Sequence, residues 1–276
     1  MSEKTILITG CSSGIGHHAA HALAKRGWRV FATCRAEIDC ERLAAEGLDS
    51  FRLDYTDEES ISAGFARVMD QTDRIDALFN NGAYAQPGAV EDLPTDALRA
   101  IFETNFFGWH SLTRLAVAQM RKQGAGRIVQ NSSVLGFAAL PMRGAYNATK
   151  FALEGLTDTM RVELRDTQIE LILIEPGPIR TKIRENARAH YRRWIDPKTS
   201  AWAQLYTDQL EPRLFAEDPA PDRFELSCEA TTRKLIHALE SPRPRARYYV
   251  TTPTYMAAWL KRLLPTRWLD AVLAKG

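Results

Sequence analysis

From Thr5 to Gly16 the chain has the sequence Thr-Ile-Leu-Ile-Thr-Gly-Cys-Ser-Ser-Gly-Ile-Gly, and the interpretation of the remaining sequence starts from this stretch. Its apolar run is short and ends at a glycine, which is typical of a fully buried parallel strand. A glycine-rich turn follows, and a helical pattern that includes Ala19 and Leu23 continues to Gly27. A strand, a glycine-rich turn and a helix in this order are the context that a dinucleotide phosphate site requires.

The glycine-rich turn is predicted to hold the phosphates of such a nucleotide. Glycine permits the tight turn and lets the backbone approach a pyrophosphate, while the helix N-terminus presents free N–H groups and a partial positive charge. We expect cofactor contacts from Gly10, Ser12, Ser13, Gly14, Ile15 and Gly16. The alternative is a glycine-rich turn without a ligand. His17, His18 and His21 come next and are interpreted as packing or solvent-facing residues, so no metal site is predicted.

The second predicted strand, Trp28–Thr33, ends close to Arg35. Proteins that bind NAD normally place Asp or Glu here to hold the ribose 2′-hydroxyl, whereas this chain continues as Cys34-Arg35. A guanidinium would pair with a 2′-phosphate instead, and Ser12 could add a hydrogen bond. The sequence therefore favours NADP(H) over NAD(H), with an ordinary surface charge as the competing interpretation of Arg35.

Strands and helices alternate along the rest of the chain. Further strands are predicted at 50–54, 75–79, around 128–129, at 169–174 and at 248–251, and further helices at 39–46, 58–70, 95–122 (with a break at Gly108-Trp109), 145–166 and 228–239. The alternation predicts an α/β fold, a three-layer doubly wound parallel sheet of the Rossmann type. A length of 276 residues suits one such domain better than two, so residues 1–276 are taken as a single domain.

Polar residues lie where several predicted strands end, which is where ligands bind in such sheets. Asp54 is placed to hydrogen-bond an adenine amino group, and Asn80 and Gly82 leave room for a ligand after the fourth strand. Asn105 lies inside a helical stretch, where an amide is neutral to unfavourable, so a buried polar role is expected for it. Ser133 follows the fifth strand, and its hydroxyl could stabilise charge on a substrate oxygen.

Tyr146 and Lys150 are four residues apart and would lie on one face of a helix. With eight Tyr and nine Lys in the chain, such a pair arises by chance about 0.3 times, so its weight depends on the phosphate turn and Ser133 before it. A phenol has a pKa of about 10 and exchanges a proton poorly at neutral pH. We expect the Lys150 ammonium to favour the phenolate and so to lower the pKa of Tyr146.

Two segments have compositions unlike the rest. Residues 178–221 have no clean periodicity and are predicted to be irregular or short-helical, and the aromatic residues Trp194, Trp202 and Tyr206 favour a substrate lid over a disordered segment. Residues 255–274 form an amphipathic tail that Pro265 divides into two short helices. The tail packs on the domain or on a partner subunit in one interpretation, and makes peripheral membrane contact in the other.

The overall composition limits the classes of partner. The formal charge of +2 gives no strong attraction to nucleic acid, so no such partner is predicted. Cys11, Cys34, Cys40 and Cys228 form no Cys-x-x-Cys pair and are interpreted as free thiols of a reducing compartment. With no secretory leader and no apolar run of eighteen residues, a cytoplasmic protein is expected, peripheral to a membrane if the tail binds one.

In sum, the motifs resemble the short-chain dehydrogenase/reductase family over essentially the whole chain. The matching pieces occur in family order: Thr9-Gly10-x-x-x-Gly14-x-Gly16, Asp54, Asn80-Asn81, Asn105, Ser133, Tyr146-x-x-x-Lys150 and Pro176-Gly177-x-x-x-Thr181. Ser133 precedes Tyr146 by thirteen positions, the usual interval of the family. One departure is Asn80-Asn81-Gly82-Ala83, where the family has Asn-Asn-Ala-Gly. The glycine turn, the Arg35 region and the run ending at Tyr249 are similar to the branch of 17β-hydroxysteroid and retinol dehydrogenases.

The resemblance implies an NADP(H)-dependent oxidoreductase that interconverts a lipophilic alcohol and its ketone or aldehyde, with Tyr146 as general acid/base. The substrate would be steroid-, retinoid- or long-chain-carbonyl-like. The resemblance also implies that Lys150 hydrogen-bonds the nicotinamide ribose and that Asn105 holds a water in a proton relay behind it. In the segment that begins with Pro176-Gly177, Ile179 and Thr181 would contact the carboxamide group of the nicotinamide.

A homodimer or homotetramer is implied as well, formed through the Tyr146 helix and the 95–122 helix. The alternative is a non-catalytic dinucleotide-binding sensor or scaffold on the same fold. The presence of both Ser133 and Tyr146 argues against this alternative, because binding alone needs no proton donor.

Overall fold

The computed structural model describes residues 3–217 and 220–274, which form one α/β domain around a seven-stranded parallel sheet. The strands are β1 Lys4–Ile8, β2 Trp28–Cys34, β3 Asp49–Arg52, β4 Ala77–Asn80, β5 Ala125–Asn131, β6 Gln168–Glu175 and β7 Arg247–Tyr249. Their order in the sheet is β3-β2-β1-β4-β5-β6-β7. The direction of strand progression therefore reverses between β1 and β4, where ligands bind in doubly wound sheets.

Helices cover both faces of the sheet, as the alternating sequence pattern predicts. They are α1 Gly14–Ala24, α2 Glu37–Ala45, α3 Glu58–Gln71, α4 Thr95–Phe102, α5 Gly108–Gln123, α6 Gly144–Glu163, α7 Ile183–Trp194, α8 Ala203–Leu205, α9 Glu211–Phe215, α10 Cys228–Glu240, α11 Thr252–Leu263 and α12 Thr266–Leu273. Short 3-10 turns occupy Val90–Asp92, Val134–Gly136 and Pro197–Thr199, and π turns occupy Glu103–Phe107 and Tyr206–Leu210.

The buried strands separate two apolar cores. Ile6 and Ile8 of β1 belong to the core that α1 and α10 cover, whereas Leu7 between them belongs to the core under α3, α5 and α6. This division follows from the alternation of side chains along a strand, and it explains why a strand buried on both faces is continuously apolar. The predicted three-layer fold is confirmed.

The long helical stretch deviates from the prediction at Gly108. The chain does not break there, because α4 and α5 are joined by the π turn Glu103–Phe107 and Gly108 is the first residue of α5. A Cβ atom at Gly108 would collide with the backbone and side chain of Tyr55. The glycine is therefore required for close packing of the helix against Tyr55. In the sequence alone, the same glycine indicated an interruption of the helix.

Much of the predicted lid is helical rather than irregular. Helices α7 and α9 enclose a small core with Tyr191, Tyr206 and Leu214, and Ala89 packs against it. The Tyr206 hydroxyl accepts a hydrogen bond from the Ala89 N–H at 2.8 Å and donates to Asp92 at 2.7 Å. These two hydrogen bonds attach the segment to the turn at Val90–Asp92. Residues 218 and 219 of the predicted lid, and residues 1, 2, 275 and 276 of the predicted domain, lie outside the described residues.

The tail forms two helices, α11 and α12, separated at Pro265 as predicted. No helix within residues 3–217 and 220–274 is long and apolar enough to cross a membrane. All four cysteines carry free thiols, three of them buried.

Candidate active site

The glycine turn lies against the two other segments that the sequence places in the cofactor site. Gly10 and Gly14 have φ angles of +67° and +63°, which glycine adopts without steric cost. A Cβ on Gly10 would lie 2.5 Å from the Cα of Gly82, and one on Gly14 would lie 3.2 Å from Cγ2 of Thr181. The structure thus brings the turn together with the end of β4 and the segment after β6.

The N-terminus of α1 is open at this turn. Ser13 occupies the N-cap position, but within the described chain its side chain forms no capping hydrogen bond, and the first turn contains no acidic residue. The first N–H groups of a helix have no partners within it, so they are directed at the space beside the turn and can bind an anion. Ile15 packs against the core, and a Cβ on Gly16 would collide with the Gly10 carbonyl. The turn therefore has the shape and polarity that a phosphate group requires.

Arg35 and Asp54 follow the neighbouring strands β2 and β3. Arg35 is exposed and forms no ion pair with the carboxylates that the structure describes. Burial, followed by the charges of Arg35 and Arg193, lowers the pKa of His190 on α7. Asp54 is engaged locally, because its Oδ1 accepts hydrogen bonds from the N–H and hydroxyl of Thr56 at 3.0 and 2.9 Å.

A hydrogen-bonded network joins the ends of β1, β4 and β5. The Thr9 hydroxyl oxygen accepts from the N–H groups of Asn81 and Gly82 at 2.9 and 3.2 Å. The Asn81 amide donates to the Thr9 carbonyl at 3.0 Å and accepts from the Asn131 amide at 2.8 Å. Asn81 thus holds three strand ends in register beside the glycine turn.

The side chain of Asn80, a residue predicted to contact the cofactor, lies in the core. It is fully buried, donates to Thr113 and Gln130 at 3.0 and 2.9 Å, and accepts from the Tyr55 hydroxyl at 2.7 Å. With its amide atoms engaged in this way, the side chain cannot contact a ligand. Successive side chains at a strand end point to opposite sides. That alternation was the signal available in the sequence, and it places the side chains of Asn80 and Asn81 on opposite sides of the strand end.

Asn105 is fully buried in the π turn between α4 and α5. Its Oδ1 accepts from the Tyr84 N–H at 3.1 Å and its Nδ2 donates to the Tyr84 carbonyl at 2.8 Å. The expected buried polar role is therefore confirmed: the Asn105 side chain forms two hydrogen bonds that hold the backbone after β4 in place. Single π turns inside helices often occur at functional sites. The water relay that the resemblance implies stays a prediction.

Ser133 and the Pro176 segment meet at the ends of β5 and β6. Ser133 begins the 3-10 turn after β5, where its hydroxyl accepts from the Leu135 N–H at 3.1 Å and donates to the Pro176 carbonyl at 3.4 Å. A Cβ on Gly177 would collide with the Thr251 hydroxyl. Ile179 forms a β-bridge to Leu226. The segment predicted to contact the nicotinamide carboxamide is therefore held by Thr251 at Gly177 and by Leu226 at Ile179.

Tyr146 and Lys150 lie one turn apart near the start of α6, and both are buried. Lys150, only 1 % exposed, donates from Nζ to the Asn131 carbonyl at 2.8 Å. The same nitrogen lies 4.2 Å from the centre of the Trp109 ring and 5.6 Å from that of Tyr146. Trp109 in turn donates to the Gly82 carbonyl at 2.8 Å. Trp109 was not among the site residues predicted from the sequence, because a single tryptophan on a helix is usually a core residue.

The protonation states differ from the expectation. Burial raises the pKa of Tyr146 well above its usual value, and the hydrogen bond with Ser133 opposes this only in part. Burial also lowers the pKa of Lys150 to about 7, opposed by the charge of Glu154. The predicted lowering of the Tyr146 pKa by Lys150 is therefore wrong for this structure, because desolvation disfavours both charged forms. At neutral pH the phenol is protonated and suited to donate a proton.

The three histidines of α1 are bound to neighbouring side chains. His17 and His21 each place Nε2 at 2.7 Å from Oε2 of Glu46, and His18 Nδ1 lies 2.8 Å from the Thr232 hydroxyl. His17, His21 and Glu46 form a group whose potential metal-binding atoms lie within 4.8 Å of one another. The prediction of no metal remains a prediction.

Comparison with known proteins agrees with this geometry. The sequence profile of the family described as short chain dehydrogenase matches residues 4–192. An uncharacterized oxidoreductase of Escherichia coli, YbbO, is 38% identical over 273 residues, covering 98% of this chain and 94% of its own length. Human 17-beta-hydroxysteroid dehydrogenase type 1 is 31% identical, covering 91% of this chain and 78% of its own, which confirms the predicted similarity to that branch.

Two further proteins bear on the cofactor and the fold. The NADPH-dependent 3-dehydrocapnine reductase of Ornithobacterium rhinotracheale is 30% identical over 98% of this chain and 95% of its own length. The crystal structure of a short-chain dehydrogenase from Streptomyces avermitilis superposes with a TM-score of 0.78 at 28% identity, covering 99% of this chain and 94% of its own.

Proposed function

The chain belongs to the short-chain dehydrogenase family of oxidoreductases, and from this premise we propose that it reduces a lipophilic ketone or aldehyde with NADPH. The reverse reaction oxidises the corresponding alcohol with NADP. The observation that carries the proposal is the meeting of Ser133, Tyr146 and Lys150 at the strand ends beside the open N-terminus of α1. An anion-binding turn and a protonated phenol at the same edge of the sheet fit a reductase that binds a dinucleotide.

The roles of the side chains follow from their protonation. When bound, the nicotinamide supplies the hydride. The Tyr146 hydroxyl, whose pKa burial holds high, donates the proton to the substrate oxygen. The Ser133 hydroxyl hydrogen-bonds that oxygen and stabilises its developing charge. Lys150, with a pKa lowered to about 7, is protonated in part at neutral pH and lies one helical turn from Tyr146.

A preference for NADP(H) is proposed from Arg35. Its guanidinium is exposed beside the end of β2 and is not paired with a described carboxylate, so it is available to a 2′-phosphate. The name of the Ornithobacterium reductase, which states dependence on NADPH, supports the same preference. The absence of an acid at residues 33–35 removes the usual partner of a free 2′-hydroxyl.

The lipophilic substrate is proposed from the similarity to a 17-beta-hydroxysteroid dehydrogenase. A subunit contact through α5 and α6 is also proposed, because Phe107, Phe151 and Val162 on or beside these helices expose apolar side chains. A cytoplasmic location is proposed on the basis of the sequence.

The experiment that tests the function is a panel of steroid, retinoid, long-chain aldehyde and small aromatic carbonyls, scored by oxidation of NADPH and of NADH. We expect turnover of at least one lipophilic carbonyl, with a higher kcat/KM for NADPH. Tyr146→Phe should lower kcat by roughly 10²–10⁴-fold, the usual contribution of general acid catalysis. Cofactor binding, followed by quenching of protein fluorescence, should be retained in this variant.

A Tyr146→Phe variant that keeps most of the activity would exclude Tyr146 as the proton donor. A wild-type protein that binds NADPH but turns over no member of the panel would favour the sensor or scaffold alternative.

A further inference from the structure

The C-terminal helices α11 and α12 present an apolar face that the rest of the described chain does not cover. Trp259 is 63 % exposed, Leu263 70 % and Trp268 67 %. On its other side α11 is anchored by Thr254, Ala257 and Ala258, which are buried, whereas α12 has no buried residue. The two helices are therefore amphipathic, with the apolar side of each facing solvent.

The exposed apolar residues form a continuous stripe rather than scattered positions. Tyr255, Trp259 and Leu263 follow one another at intervals of four, which places them on one side of α11. Trp268 and Val272 are related in the same way on α12. Single exposed apolar residues are normal on a protein surface, but a contiguous patch of this kind usually marks a binding surface.

A basic pocket lies at the α11 end of this face. A cavity of about 300 Å³ opens between α10, β7 and α11, and its lining includes Lys234, Arg245 and Arg262 together with Tyr255 and Trp259. None of these three cations forms an ion pair with another side chain in the part of the chain that the structure describes. Because Tyr255 and Trp259 belong to both the pocket and the apolar stripe, cationic and apolar groups form one surface.

The charge of this region distinguishes between its potential partners. Apart from Arg247, which contacts three carboxylates, residues 243–274 contain five basic residues, Arg243, Arg245, Lys261, Arg262 and Arg267, and a single acidic residue, Asp270. In a symmetric dimer the same patch meets itself, so these cations would face cations. An anionic surface would attract them instead. Tryptophan and tyrosine are the side chains that favour the boundary between water and lipid.

We propose that α11 and α12 dock this protein on the surface of a bilayer that contains anionic phospholipids. Trp259, Leu263 and Trp268 enter the boundary between headgroups and acyl chains, and the cations of the basic pocket contact lipid phosphates. The contact is peripheral, since neither helix is long enough to cross the membrane. It goes beyond the proposed reaction and stands on the tail and the basic pocket beside it.

The test is flotation of the full-length protein with lipid vesicles. Vesicles of phosphatidylcholine and phosphatidylglycerol in equal parts should carry the protein upward, about tenfold more than pure phosphatidylcholine, and salt should weaken the binding. A Trp259→Ser/Trp268→Ser variant should lose about tenfold in bound fraction. Ile38→Ser is the matched control, since Ile38 on α2 is 71 % exposed, and it should bind as the wild type does.

A second variant tests the charge. Lys234→Gln/Arg245→Gln/Arg262→Gln should weaken binding to the anionic vesicles about fivefold and leave binding to phosphatidylcholine unchanged. Thermal melting verifies that the variants are folded.

Three results would overturn the proposal. The first is equal or absent binding to both kinds of vesicle. The second is complete release by excess glycerol 3-phosphate at constant ionic strength, which would assign the pocket to a small free phosphate. The third is a dimer in light scattering that the tryptophan variant converts to a monomer without lipid, because the face would then belong to a second copy.

Discussion

Two cations lie at helix α6: Lys150 is a fully buried residue of the helix, and Arg247 lies beside it with 30% of its side chain exposed. Their surroundings differ. Lys150 contacts the Asn131 carbonyl and the face of Trp109, and forms no ion pair with the carboxylates that the structure describes. Arg247 on β7 contacts three carboxylates, those of Glu154, Glu175 and Asp158. Burial alone would lower the pKa of both groups. For Lys150 it does, to about 7, whereas the carboxylates around Arg247 outweigh burial and raise its pKa.

The difference shows how counter-ions offset burial: the carboxylates around Arg247 raise its pKa, whereas the pKa of Lys150, which contacts no described carboxylate, is lowered. Arg247 stays charged and holds two elements of the structure together, while Lys150 can gain or lose a proton beside the candidate proton donor. Glu154 connects the two regions. Its Oε2 contacts Arg247, and its charge, one helical turn from Lys150, opposes the lowering of the lysine pKa.

The largest effect is expected from removing the well-paired cation. Arg247→Met leaves the buried Glu154 without a counter-ion and the fully buried Glu175, whose pKa burial raises to about 8, without its hydrogen-bond donor, so the free energy of unfolding should fall by about 3–5 kcal/mol. Urea denaturation measures this loss. The control is Arg165→Met, which removes an exposed ion pair with Asp166 and should cost less than about 1 kcal/mol. Equal losses in the two variants would mean that the buried cluster contributes nothing special.

A smaller effect of opposite sign is expected from the unpaired cation. Burial lowers the pKa of Lys150 from 10.5 to about 7, so between these values the unfolded chain binds a proton that the folded chain has released. The contribution of Lys150 therefore makes the free energy of unfolding rise with pH across that window. Lys150→Met removes this rise and should be more stable than the wild type below about pH 7, by roughly 2–4 kcal/mol.

Urea denaturation between about pH 6 and pH 10 checks this expectation. Lys122→Met removes an exposed lysine and should leave the pH dependence of the wild type in place. A Lys150→Met variant whose stability runs parallel to that of the wild type over this range would contradict the lowered pKa.

The smallest effect is expected from the group that connects the two regions. Glu154→Gln removes the charge that opposes the lowering of the Lys150 pKa, so this pKa should fall further. If the protonated lysine supports catalysis, the alkaline limb of the kcat/KM profile for carbonyl reduction moves to lower pH by the same amount.

The matched control is Asp158→Asn. Asp158 also contacts Arg247, but its charge is not among the causes of the Lys150 shift. This variant should lose stability without moving the pH profile. A shift of equal size in both variants would show that the Arg247 cluster, and not Glu154 itself, sets the lysine pKa.

The parts of the fold and site that depend on local spacing were predictable from the sequence. The alternation of strands and helices predicts the parallel sheet, and the interval between Tyr146 and Lys150 places them on one face of α6. Positive φ angles at Gly10 and Gly14 agree with the glycine turn. Each of these features depends on a few neighbouring residues, for which local geometry leaves little choice.

The sequence did not reveal features that depend on contacts between distant segments. Asn80 was predicted to contact the cofactor, and the structure shows that Tyr55, Thr113 and Gln130 hold its side chain in the core. Gly108 was interpreted as a helix break, but glycine is needed there because the helix packs closely against Tyr55. Neither Tyr55 nor Trp109 carries a local signal that indicates these partners.

The sequence by itself determined the fold class and the residue types at the strand ends, because these follow from periodicity and spacing along the chain, and the resemblance of its motifs indicated the family. Only the tertiary structure decided the protonation states of Tyr146 and Lys150, and which face of the C-terminal tail stays exposed. The physical reason is that a pKa and a burial depend on all atoms within several ångströms, and folding brings those atoms from separate parts of the chain.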